Sequence, residues 1–218
     1  MTGGDHETCL EAINMLVLNW ADNPGVRSWI RDRAHDDKRW YVRAAAVRAL
    51  CQEGDVALAC ERAAADRHVW VRAEAIHAIG RNTRQDQSIA ALLRDLAATD
   101  PHPRVRGEAL EALAPQARDD VRAFFRQRAK DDPDPVVRLR AALAHAVEDH
   151  PRYWKDRNDY LLGYGVDDDR LDEEARALLS DLAVTDADKA VRAAALRVLA
   201  SKMRHDDMRD RQDRKSVV

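Results

Sequence analysis

Apolar and small residues recur along this chain at spacings of three and four, the interval at which side chains share one face of an α-helix. Five times the pattern takes the same form. A mostly bulky apolar residue (Ile30, Ala59, Leu93, Phe125, Leu179) is followed four positions on by an alanine (Ala34, Ala63, Ala97, Ala129, Ala183). Three further comes an aspartate: Asp37, Asp66, Asp100, Asp132 or Asp186. Each aspartate precedes a Val-Arg pair: Val42-Arg43, Val71-Arg72, Val105-Arg106, Val137-Arg138 and Val191-Arg192. Four after each valine is an alanine (Ala46, Ala75, Ala109, Ala141, Ala195), and four beyond that stand Leu50, Ile79, Leu113, His145 and Leu199. Each unit therefore reads as a helix A, a short turn led by Asp, and a helix B. Alanines at fixed places let two helices approach closely while the bulky residues fill the seam.

A period of a few tens of residues marks an array of repeats. The repeats fall at about 25–50, 55–81, 86–114, 119–148 and 172–201, within a single repeat domain spanning 1–201. Residues 7–21 predict one more helix, with Leu10, Ile13, Met15, Leu16 and Leu18 as its apolar cover, placed to cap the array. Asp-Pro-x-Pro turns at 100–103 and 132–135 end helix A sharply, and the second proline suits the first position of helix B. The aspartates lie 29, 34, 32 and then 54 residues apart, so an insert occupies 149–171. Within it, Pro151–Leu162 reads as a short helix stopped by Gly163. The tail 202–218 mixes charges with little to bury and reads as frayed or disordered.

These phrases resemble HEAT repeats over roughly residues 25–200. The resemblance implies an all-α fold: a right-handed α-α superhelix of about five helical hairpins with an N-terminal capping helix. It also implies that the turn Asp and the helix-B Arg six positions later (Asp37/Arg43, Asp66/Arg72, Asp100/Arg106, Asp132/Arg138, Asp186/Arg192) form a structural ladder. Ile30-Arg-Asp-Arg-Ala-His-Asp-Asp and Asp37-Lys-Arg-Trp-Tyr-Val-Arg look like arrays attached to bacterial NACHT-type ATPases. The array alone is matched, since no G-x-x-x-x-G-K-[ST] loop occurs.

Composition narrows the function. The 36 basic and 39 acidic residues nearly cancel, so overall charge gives no push toward nucleic acid or a membrane surface. Scarce Phe and Gly and abundant Ala favour helix over sheet. Cys9, Cys51 and Cys60 show no metal-ligand spacing, which predicts reduced thiols, a cytoplasmic setting and no metal or other cofactor. The first residues lack a secretory leader's basic start and apolar run, and no segment has the apolar length to span a bilayer.

The expected activity is a non-catalytic scaffold or sensor that binds a protein or peptide on its concave face and its insert. Aromatic residues beside arginine are what interfaces concentrate. Tyr153, Trp154, Tyr160 and Tyr164 lie in the insert; Trp40, Tyr41 and Trp70 stand at helix-B entrances. The competing reading is that the insert's aromatics pack onto their neighbours. Positions three and six beyond each Val (Ala45 and Arg48, Glu74 and His77, Glu108 and Glu111, Arg140 and Leu143, Ala194 and Arg197) are expected to be exposed in the groove. That makes its centre acidic, which repels phosphate and fits a partner with a basic centre. His145 interrupts an aliphatic column and reads as a core histidine bonded to a backbone carbonyl, with a hinge or pocket role at the edge of the insert as the alternative. The alternative function is a DNA-binding repair protein resembling the HEAT-like alkylpurine DNA glycosylases. Trp40, Trp70 and Trp154 favour it, but no catalytic Asp aligns. HEAT-like families with paired His-Glu metal ligands, or with bilin lyase activity, find no matching residues.

Overall fold

A computed structural model describes residues 3–20, 22–82, 86–116, 118–146, 171 and 173–200. Among them are eleven α-helices and no strand. Helix α1 is Gly3–Trp20. Five hairpins follow: α2 (Pro24–Asp36) with α3 (Trp40–Gln52), α4 (Val56–Ala65) with α5 (Val69–Asn82), α6 (Gln87–Thr99) with α7 (Pro103–Leu113), α8 (Asp119–Asp131) with α9 (Pro135–Ala146), and α10 (Glu173–Thr185) with α11 (Lys189–Leu199). Pro103 and Pro135 each take the first position of a helix B, where a missing N–H costs nothing. The tail 202–218 and most of the insert 149–171 lie outside the described residues.

The chain divides into two compact units, one ending at Leu113 and the other beginning at Ala114. In the first, the helix-B elements α3, α5 and α7 lie side by side, α4 packs on α6, and α1 packs on α3 and α2. In the second, each hairpin closes on itself and α9 packs on both α10 and α11. Neighbouring hairpins in each unit thus stack as a helical-repeat array does. The repeated apolar columns are buried throughout, and only Leu199 is half-exposed. Gly80 has a structural reason: a Cβ there would come within 2.9 Å of the Ala112 Cβ, so α5 and α7 meet more closely than any side chain permits. The expected cover of α1 needs correction. Among its described side chains Ile13 and Val17, four apart, are buried and Leu16 is half-buried, whereas Met15 and Leu18 are exposed.

The turn aspartate makes the same set of backbone bonds in every repeat. Its own N–H closes helix A, from Asp37 to the Arg33 carbonyl through Asp186 to that of Leu182. Its Oδ1 accepts the N–H two residues on, at 2.8 to 2.9 Å in all five repeats. Its carbonyl accepts Nη1 of the arginine six positions later, at 2.7 to 3.0 Å. The same arginine turns its remaining donors forward. Arg43 holds the Asp66 carboxylate with two bonds of 2.9 Å, Arg72 holds Asp100, and Arg138 holds Asp186. Each of these arginines therefore ties its own turn to the next one by a bidentate, charge-assisted pair.

These bonds set protonation. Burial pushes the Asp66 carboxyl up, but the Arg43 bonds, the His68 N–H and the Arg43 charge outweigh it and hold the group below the usual carboxylate range. Arg138 does the same for Asp186. Asp37 takes its guanidinium from its own neighbour Arg39, with Nε and Nη2 at 3.0 and 3.1 Å, and this bond chiefly holds its carboxyl below the usual range.

Candidate functional site

The turns of the first unit bring the helix-B entrances of three repeats into one line. Trp40 and Tyr41 open α3, His68 caps α5 ahead of Trp70, and Arg104 follows Pro103 at the start of α7. The Trp40 and His68 rings stack at 4.8 Å with 3° between planes. Trp40 also stacks on Trp70 at 6.1 Å and meets Tyr41 edge-on at 5.9 Å. The Arg104 guanidinium lies over the Trp70 ring, 3.6 Å from its centroid, close enough for a strong cation–π contact. Arg39 stands 6.0 Å over Tyr41. Three sequence-selected aromatics, Trp40, Tyr41 and Trp70, are thus joined in one row. Trp70 remains 42% exposed although the contacts fix its ring.

His68 links this row to the fold. Burial, and next the positive charge of Arg43, push its imidazole below the usual histidine range. Nδ1 is therefore an acceptor at neutral pH, and it receives the Trp70 N–H at 3.3 Å. His102 caps α7 in the same manner, accepting the Arg104 N–H at 3.1 Å. Neither histidine stands out in sequence, because histidine is not a typical capping residue. The signal was positional: both lie two residues after a turn Asp, where Asp134 and Asp188 cap α9 and α11. Three further arginines also escaped the sequence reading. Arg33, Arg62 and Arg128, four residues before a turn Asp, approach its carboxylate at 3.7, 3.9 and 4.0 Å.

The expected groove column differs from the structure. Ala45, Glu108, Arg140, Leu143 and Ala194 are buried rather than exposed, and Glu108 is only 3% exposed. The cause is helical geometry. A position three beyond Val lies only about 60° from it around the helix, on the same buried stripe, whereas one six beyond lies about 120° away at its border. Of the positions six beyond, Arg48, His77 and Glu111 are half-buried and Arg197 is exposed as expected, whereas Leu143 is packed in the core; Glu74, three beyond, is half-buried and pairs with Arg48 at 3.5 Å. Glu108 has Arg104 of its own helix at 3.7 Å. An open acidic groove centre built on these residues is therefore not what the first unit presents.

His145 is buried, and its Nε2 lies 3.6 Å from Glu174 of α10, a carboxylate that Arg126 of α8 also holds at 2.7 Å. The expected backbone carbonyl is not the contact seen at Nε2. The insert residues Tyr153, Trp154, Tyr160 and Tyr164 lie outside the described residues. Among the described residues, no group of histidine, cysteine and carboxylate side chains is arranged to hold a metal ion. No helix there is long and apolar enough to cross a membrane.

Residues 56–146, from α4 to α9, match the family model described as HEAT repeats. The match supports reading the array as HEAT repeats, which generally mediate protein–protein interaction and are typically not enzymes. No curated protein and no solved structure matches the chain.

Proposed function

We propose that this chain is a non-catalytic interaction module for a protein or peptide partner, and that the partner meets the first unit along the row Trp40, Tyr41 and Trp70. The observation that carries the reading is the state of Trp70, half in solvent and yet held by Arg104 and Trp40. A large ring already fixed in place adds contact area on binding without a further ordering cost, and tryptophan beside arginine is the composition of interface hot spots. The insert tyrosines and Trp154 are a second candidate surface, on the sequence argument alone. A cytoplasmic setting and companionship with a NACHT-type ATPase belong to the same proposal.

The test is affinity capture by the tagged full chain after nuclease treatment, with the wild type compared to Trp70→Ala. A protein retained by the wild type and depleted at least about tenfold with Trp70→Ala, at unchanged helicity, supports the reading. Equal recovery by both chains contradicts it.

A further inference from the structure

The charge along this turn edge identifies the kind of segment it fits. Resting on the binding surface just proposed, we infer that the turns of the first unit take an extended acidic peptide, with one carboxylate opposite each of the three repeats.

The four residues after each turn Asp are Lys38-Arg39-Trp40-Tyr41, Arg67-His68-Val69-Trp70 and Pro101-His102-Pro103-Arg104. They contain four cations and no carboxylate. The aspartates beside them add no available negative charge, because Asp37, Asp66 and Asp100 are buried and hold the bonds described above. Lys38 and Arg67 are exposed, and Arg39 keeps about half of its side chain in solvent while bonding Asp37. The aromatic rings reinforce the sign. Trp40 stacks on His68 and Trp70, and Trp70 carries Arg104, so ring faces are spent on one another. Aromatic edges carry the positive part of the ring quadrupole and attract carboxylates.

The same occupied faces argue against single-stranded nucleic acid, which needs open aromatic faces on which bases stack. Spacing points to an extended chain. Packed helices stand about 8–10 Å apart, and an extended chain of the polyproline II kind, whose every third side chain returns to the same face, advances about 3.1 Å per residue. One repeat therefore matches about three peptide residues, and acidic side chains at every third position keep step with the turns. The second unit supplies an internal contrast. Its equivalent residues, Pro133-Asp134-Pro135-Val136 and Ala187-Asp188-Lys189-Ala190, hold two carboxylates and one cation.

The experiment is fluorescence anisotropy with the full chain and three labelled probes. They are a peptide of about ten residues with glutamate at every third position, its glutamine counterpart, and a decathymidylate. The glutamate peptide should bind, with the glutamine counterpart at least about tenfold weaker. Lys38→Glu with Arg67→Glu should weaken the glutamate peptide at least about tenfold, while Val136→Ser leaves it unchanged. Circular dichroism verifies that the double variant keeps its helicity. Equal binding of the glutamine peptide overturns the inference. So does undiminished binding by the charge-reversed chain, or tighter binding of decathymidylate than of the glutamate peptide. The two readings fail separately. If Trp70→Ala loses a captured protein but the glutamate peptide does not bind, the surface stands and its acidic occupant falls. If Trp70→Ala leaves capture intact, the surface itself falls.

Discussion

The turn edges of the two units use the same aspartate and present opposite surfaces. At Asp66 and at Asp186 the carboxylate caps its turn and receives a bidentate arginine from the preceding repeat, with bonds of 2.7 to 2.9 Å in both. The Arg138 pair closes across 48 residues of chain and the Arg43 pair across 23. Joint geometry is therefore set by the stacked turns, and an insert between hairpins leaves it unaltered. Around this shared joint the first unit places four cations with His and Trp and no carboxylate, and the second places two Asp and one Lys among Pro, Val and Ala. The comparison teaches that structure and surface are divided between different positions of one turn. The Asp and the distant Arg build the stack, and the residues after the Asp are left to vary.

The largest expected effect breaks a joint. Arg43 is 2% exposed, and Arg43→Ala strands the Asp66 carboxylate in the interior, for a loss of about 3–5 kcal/mol by urea unfolding. Arg138 is 14% exposed, so water can reach the abandoned site, and Arg138→Ala should cost about 1–3 kcal/mol. Equal losses would show that burial does not grade the joints. Gly80→Ala forces α5 from α7 and should cost about 1–3 kcal/mol in the same assay. Trp70→Ala removes a stacked pair and a cation–π contact at a half-exposed site, about 0.5–1.5 kcal/mol. Val136→Ser, on the other edge, should stay within about 0.5 kcal/mol of the wild type.

The smallest effect is one of pH and separates the edges again. Asp37, Asp66 and Asp186 have folded-state pKa values held below the usual range. Their contribution is complete above about pH 4–5 and is lost as pH falls through the lower folded values, in both units. The folded pKa of His68 is also lowered. Because the unfolded chain binds that proton first, stability contributed by neutral His68 is complete above about pH 7 and declines as pH falls below about 6.5. His68→Asn keeps an acceptor at the cap and should flatten that part of the thermal-melting profile alone. An unchanged slope would show that His68 does not titrate in this way.

The helix–turn–helix pattern was legible because alanine and bulky residues recur at helical spacing, and Ile30, Ala34, Ala46 and Leu50 show how the period alone locates a core. The forward reach of Arg43 to Asp66 was not, since a period is blind to which copy a side chain faces. Glu108 is buried where the period alone predicts exposure, because a spacing counted from Val105 does not give the width of the buried stripe. Trp40 and Trp70 were picked out for their type, but the Arg104 that covers one and the His68 that stacks on the other lie in different repeats. Only the packing of α3, α5 and α7 brings them together.

Site-specific photo-crosslinking tests most directly whether the basic, aromatic edge is the one that binds. A benzophenone side chain replaces Tyr41 in one full-length chain and Val136 in another, and each is irradiated with the protein captured by the wild type. The account predicts a crosslinked product from position 41 and none from position 136. A product from position 136 alone would place the partner on the acidic edge and contradict it.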